Sequence, residues 1–571
     1  MLIEAVDGTA EVGSLRPPAR PRDLFERLPD LAGPATAGFS LPAMVLLLSG
    51  RFVVPLVVLL GCAGSVALVA AVVRGDPEPA LPRDRWWTLA ALVLSLAFLV
   101  GNAGHSAQRV NASTDAGVRA LTGQWLVHHH SLAVPLRDEV FGDPGSDLTS
   151  GGAAVSPGVL ASPGFAPDPG RPDTVRPAGG HLLAALLGVI GWFAGPVGLF
   201  GGNAFIGALA LLAVFGLMRR FAGRGLALLS TAALGVSAPV VAAGRDTGSG
   251  PLLVLLLAGG GSVLWRAART RRPARFLAAG LTIGTAGTAG TAGAGGAVAA
   301  AAAGLVAVAV ALPVSAVAGG RREWLGWLGR LCPLAAGAAV PAGIGYLDLA
   351  RSPGGPQHAV RVAGALVVGA VVLVAGFLLY RLAGRGRRWR FVAVGFGVLM
   401  VAVLAVRTGG LARLRPGAPR LAAVRAVCEA LPDDAAVLVL GAPAADRYTQ
   451  AMRSFCNVPS HAAVPPPAGP VGAVGAVDLR RMRAEVVRHH RRLYVLAASV
   501  RVLPTGSARF TDPFYAERVR VWPNRPADIP GSLRWLASPG SPVIRTDGVL
   551  LGLVRPDGTC VPVPAPGREH P

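Results

Sequence analysis

Long apolar runs, separated by short arginine-bearing stretches, occupy the chain from about residue 36 to residue 410. Phe39 to Val73 is almost wholly apolar, broken by Ser49-Gly50-Arg51. As one helix it would be roughly 50 Å long against a hydrocarbon core of about 30 Å, so a short helix turning near Gly50 and a full span over 52–73 are predicted. Trp86 and Trp87 mark an interface at which the next span begins. Beyond the polar loop 104–178, the apolar stretch His181–Trp192 is short for a crossing and reads as an interfacial or re-entrant helix. Further spans are predicted at 200–218, 225–243, 251–268, 276–289, 293–316, 331–347, 359–380 and 391–407, giving ten or eleven in all. Residues 1–35 read as a cytoplasmic N-terminal tail.

After Gly410 the pattern changes to short alternating segments. Residues 435–441 and 493–498 read as strands, and 445–455 and 478–490 as helices. A small α/β module with an irregular C-terminal tail is therefore predicted over 411–571. It has no glycine-rich phosphate loop, which argues against a nucleotide site.

Composition agrees with a polytopic α-helical membrane protein: mean hydropathy is +0.52, with 52% apolar and 15% charged residues. The formal charge of +23 does not imply nucleic acid, because much of the arginine lies in short loops between apolar spans and reports orientation. Those loops place the N-terminus and the stretches near Arg219, Arg269 and Arg385 in the cytoplasm, and loop 104–178 and the C-terminal module outside a cell membrane. With no lysine in the chain, lysine-based catalysis is excluded. Cys428 and Cys456 flank the module's first strand–helix unit, where a disulfide can persist, while Cys62 and Cys332 read as small core residues.

The candidate chemistry lies in loop 104–178. Residues 115–128 have the pattern of an amphipathic helix lying along the membrane, with Val118, Leu121, Trp125 and Val127 on its apolar side. Asp115 opens it, and Arg119 follows one turn later. His128, His129 and His130 are possible metal ligands or phosphate donors. Loop 104–178, rich in Gly, Pro and Asp from Gly142 to Gly170, reads as irregular chain rather than a folded module. The run Gly287 to Gly296, repeating Thr-Ala-Gly, reads as close helix packing.

Asp115, Gly117 and Gln124-Trp125-Leu126 stand in the frame of an element seen in bacterial GT-C fold membrane glycosyltransferases, with Arg119 in the tyrosine place. Pro177 and His181-Leu182 resemble the element closing the first loop, Ala178 replacing its glutamine. Arg245-Asp246, Ser249 and Pro251 resemble that of the second loop, Gly250 replacing a glutamate. An arginine usual after the fifth core span has no counterpart. In the module, Leu431 to Val437, Cys456 to Pro459 and Leu493 to Leu496 look like segments that follow related actinobacterial membrane cores.

The chain thus resembles transferases that take aminoarabinose or mannose from polyprenyl phosphate. The resemblance implies a GT-C-like core and transfer of a sugar from a polyprenyl-phosphate donor to a cell-envelope glycan, lipid or protein, with membrane lipid as surroundings. Asp115 and Asp246 would be the catalytic carboxylates, and Arg119, His181, Arg245 and Ser249 would bind substrate. Asp246 would hold a divalent cation, Mg or Mn. Because Gly250 deletes a carboxylate, the alternative is a non-catalytic relative with a structural or binding role in envelope assembly. A secondary transporter is disfavoured, no inverted repeat being evident.

Overall fold

The computed structural model describes residues 24–74, 84–141, 164–288, 321–350, 421–440, 446–463, 479–502 and short strands from there to 562, apart from breaks at 109, 111–113, 169–170 and 221. The predicted spans 293–316, 359–380 and 391–407, and most of the Gly287–Gly296 run, lie outside the described residues.

The first helix, α1 (Leu24–Leu48), begins within the stretch predicted as a tail and replaces the short helix expected before Gly50. It contains Pro29, Pro34 and Pro42. A membrane helix tolerates proline when neighbours supply donors to its backbone. Apart from the carbonyls those prolines free, α1 takes side-chain donors from its neighbours: Ser65 Oγ donates to Ala35 O at 2.7 Å, and Arg219 to Glu26 O at 3.2 Å. Gly50, with φ +69°, makes the predicted turn into α2 (Val54–Val73). α3 spans Asp84–Ala103. α4 (Asp115–His128) is capped by Thr114, whose Oγ1 accepts from Gly117 N at 3.1 Å.

α5 covers Leu182–Met218 in two arms that meet at Gly195, whose φ of +62° no helix permits. The first arm is the short helix predicted after His181, and the second is a span. The stretch predicted as one span at 225–243 is a pair, α6 (Arg224–Val236) and α7 (Ala238–Arg245), bent by 62°. α8 (Gly250–Thr270), α9 (Pro273–Thr288) and α10 (Arg321–Ala350) follow. Among the described residues five helices are long and apolar enough to cross a membrane, or six with the bent pair.

α1 packs against α2, α5 and α8, and α9 against both α8 and α10. Paired glycines set the crossings. A Cβ on Gly33 of α1 would lie 2.6 Å from the Cα of Gly259 on α8, and Gly280 and Gly337 stand backbone to backbone between α9 and α10. Leu59, Val66, Trp86, Val93 and Val100 are exposed on the outer faces of α2 and α3, as lipid-facing side chains would be. Cys62 and Cys332 are also exposed, contrary to the expectation that they fill the core.

The stretch expected to be irregular contributes strands. β1 (Val134–Pro135), β2 (Phe165–Asp168) and β3 (Arg171–Pro177) form an antiparallel sheet ordered β1-β3-β2, while 142–163 lies outside the described residues.

The C-terminal module has α11 (Leu421–Ala430), β4 (Ala435–Leu440), α12 (Asp446–Ala451) running into a π-turn (Met452–Cys456), β5 (Ser460–Ala463), α13 (Leu479–Arg488) and β6 (Arg492–Val502). Both predicted strands and both predicted helices are present. β4 lies parallel to β5 and β6, and β9 (Val549–Val554) and β10 (Cys560–Pro562) extend the sheet antiparallel in the order β10-β9-β6-β4-β5. β7 (Ala508–Thr511) and β8 (Arg518–Val519) continue from the second half of β6. Cys428 and Cys456 are bonded, tying α11 to the π-turn. The module sits on the α4 side of the bundle, where Arg137 donates to Asn457 O at 3.4 Å and Phe141 meets the His461 ring at 5.6 Å.

Candidate functional site

α4 does not lie on a surface with one apolar face inward: every residue from Ala116 to Leu126 is buried. Its neighbour on one side is the first arm of α5. They approach through glycine, Gly123 facing Ala184 O and Gly188 facing Gly123 O, each within about 3.2 Å of an added Cβ. Trp125 donates from Nε1 to Ser131 O at 2.9 Å, and the His129 ring stacks on it at 3.4 Å. His130 Nδ1 lies 3.3 Å from Phe52 O. His129 and His130 are thus engaged in holding the end of the helix.

Asp115 stands at the opposite end of α4 with 66% of its side chain exposed, and Arg119 Nη2 is 3.8 Å away. Arg119 itself is buried, and its Nη1 donates to Thr247 O at 3.4 Å. Thr247 returns the contact, its Oγ1 donating to Ala116 O at 2.5 Å. Two stretches singled out separately in the sequence, 115–119 and 245–249, therefore meet.

The second stretch is the break between α7 and α8. Asp246 caps α7, and its Oδ1 accepts from Thr247 N at 2.9 Å. Arg245 donates from Nε to Asn102 Oδ1 at 2.9 Å, and its carbonyl accepts from Ala107 N at 2.6 Å. Ser249 is buried at the start of α8 without a side-chain capping bond. Beneath the break, Asn203 of α5 donates from Nδ2 to Ala243 O at 2.8 Å, Asp246 O at 2.5 Å and Gly248 O at 2.9 Å.

His181 is held by contacts of its own. Its Nδ1 lies 2.6 Å from Asp348 Oδ1 and its Nε2 3.1 Å from Pro177 O, while its backbone N–H donates to Asp348 Oδ2 at 3.0 Å. With acceptors at both ring nitrogens the imidazole is held as a cation. Burial disfavours that charge, but the Asp348 carboxylate outweighs it and lifts the His181 pKa above its ordinary value. His181 joins α5 to α10, and the Arg119 charge also acts on it.

A second ionic cluster, at the opposite end of the bundle, escaped the sequence reading. Asp30 of α1 is completely buried and receives Arg219, Arg220 and Arg266, each at 2.8 Å, and Ser262 Oγ at 2.7 Å. Close by, Arg27 and Arg275 donate to Val73 O and Val72 O, satisfying carbonyls at the end of α2. The one signal in the sequence was an aspartate six residues after Leu24 in a proline-rich stretch.

Among the described residues, no group of three or more His, Cys, Asp or Glu is gathered as metal ligands. No protein-family model, curated protein or solved structure matches the chain. Fold and site define a multi-span α-helical membrane protein with a small mixed α/β module. The start of α4 and the break between α7 and α8 form one polar assembly, and the architecture is consistent with a GT-C-like one.

Proposed function

We propose that the chain is a GT-C-like membrane glycosyltransferase that moves a sugar from a polyprenyl-phosphate donor to a cell-envelope acceptor. The observation that carries the reading is the exposed Asp115 carboxylate on a buried guanidinium, Arg119, which also grips the Asp246–Thr247 break at the end of the membrane helices. The arginine-poor side of the bundle, which bears α4 and the module, is read as extracytoplasmic.

In the reaction Asp115 takes the proton of the acceptor hydroxyl as its oxygen attacks the anomeric carbon. The bond from that carbon to the phosphate oxygen breaks, and polyprenyl phosphate leaves with the electron pair. Arg119 and Arg245 offset the charge on that phosphate, while Ser249 lines the break. A divalent cation, Mg or Mn, would be held by Asp246 and phosphate oxygens and would supply further neutralisation. His181 acts at one remove, by fixing the first arm of α5 against α10.

A second reading follows from Gly250, the first residue of α8, which leaves the break without the carboxylate that the resemblance places there. In that reading the chain is a binding or structural component of envelope assembly. Purified protein in lipid, offered polyprenyl-phosphate sugars and envelope acceptors, separates the two. Transfer is expected with wild type and a loss of about 100-fold or more with Asp115→Asn, the usual contribution of a general base. Transfer unaltered by that substitution would remove Asp115 from the chemistry, and its absence across a broad panel would favour the binding role.

A further inference from the structure

Asn203 is a fully buried amide in the second arm of α5, whose other residues from Leu199 to Phe215 are apolar. Its NH2 group has two hydrogens for the three carbonyls of Ala243, Asp246 and Gly248. Its own Oδ1 is buried without a hydrogen-bond partner. The opposite amide orientation would set Oδ1 against three carbonyl oxygens, so the side chain serves as a donor. Between α7 and α8 the chain leaves the helix, and carbonyls freed in an apolar setting need donors from elsewhere. Pro251, just inside α8, brings no N–H.

We propose that Asn203 is the positioning residue of the site at the α4 end: its amide fixes residues 243–248 from below, so that Asp246 and Thr247 are presented to α4. The backbone part of this inference stands alone; the word site rests on the transferase reading. Arg119 and Thr247 tie the break to α4 from above, and Arg245 ties it to α3 through Asn102. From α5, Asn203 reaches the break at both its α7 side and its α8 side. Its donor chemistry, rather than its volume, is what the break requires.

That distinction makes the test. The full chain, in lipid nanodiscs, carries a nitroxide on Gly248→Cys, a position with open space around an added Cβ, with Cys62, Cys332 and Cys560 changed to Ser. With Asn203 the spectrum is expected to show an immobilised label. Asn203→Leu, which removes the donors, is expected to mobilise it. Asn203→Asp has the same shape; once the pH is high enough to ionise its carboxyl it turns an anion toward three carbonyls, and the label is expected to be mobile. When the pH is lowered until that carboxyl takes up a proton it donates again, and the label is expected to become immobilised.

A label on Gly343→Cys in α10, also in open space, reports whether the bundle as a whole has loosened. If it loosens in Asn203→Leu, the pH reversal of Asn203→Asp decides. An immobile label in Asn203→Asp at a pH where infrared absorption shows that carboxyl ionised, or an unchanged spectrum in Asn203→Leu, overturns the proposal. Failure of sugar transfer would sink the transferase reading and leave these spectra as they are.

Discussion

Asp30 is closed off from solvent and receives three guanidinium groups at 2.8 Å, whereas Asp115, at the other end of the bundle, keeps 66% of its side chain exposed and meets Arg119 at 3.8 Å. A carboxylate with four close donors has its oxygens fully engaged and serves to hold α1, α5 and α8 together. One that meets a single guanidinium at a distance keeps acceptor capacity for something that arrives from outside. The same residue pair, aspartate and arginine, is a lock at one end and an opening at the other, and burial makes the difference.

The largest effect expected from this contrast is at Asp30. Asp30→Asn keeps the shape but removes the negative charge from among Arg219, Arg220 and Arg266, and breaking a buried ionic group in this way costs about 3–5 kcal/mol. Thermal unfolding in detergent should show a much lower midpoint, or little folded protein. A midpoint equal to that of wild type would end the description of Asp30 as a lock.

Two buried histidines sharpen the comparison through pH. His461 in the module is held neutral, burial and the nearby Arg453 charge pushing its pKa down to about 4. The unfolded chain, titrating near 6.5, binds more protons between those values, so the module loses stability as pH falls from about 6.5 to 4. The loss is at most on the order of 3 kcal/mol. His181 has the opposite sign: its pKa is raised by Asp348, so its stabilisation is complete below about 6.5 and disappears as pH rises through the folded value. Hydrogen exchange of the module against pH, with His461→Phe as reference, should lose the acid-side slope. A slope that survives the substitution assigns the acid sensitivity to another group.

The smallest effect belongs to Asp115. Because its side chain is largely in solvent, Asp115→Asn should change the unfolding midpoint by an amount equivalent to less than about 1 kcal/mol. A destabilisation as large as that of Asp30→Asn would erase the contrast between the two ends.

What the sequence disclosed follows the range of the interactions involved. The helix 115–128 and its Asp115–Arg119 pair are local, one turn apart, and were legible, as were the strands around Val437 and Leu496 and the bond between Cys428 and Cys456. The onset of α1 was not, because Glu26, Arg27, Asp30 and two prolines within 24–35 read as a polar tail. What makes them helical and buried lies 189 to 236 residues further on, in Arg219, Ser262 and Arg266. Asn203 was invisible for the same reason, a lone amide in an apolar run having no local partner to announce it. The tie between His181 and Asp348, 167 residues later, likewise has no local sign in the sequence.

The Asp30 cluster also sets a timetable. Synthesis at about 5–20 residues per second separates Asp30 from Arg266, 236 residues downstream, by roughly 10–50 s. For the first 189 residues of that interval none of the three arginines yet exists, and Arg266 completes the set. α1 is made before its partners yet is among the last to be settled in its neighbourhood, and its arrival between α5 and α8 is a late event in the life of the nascent chain.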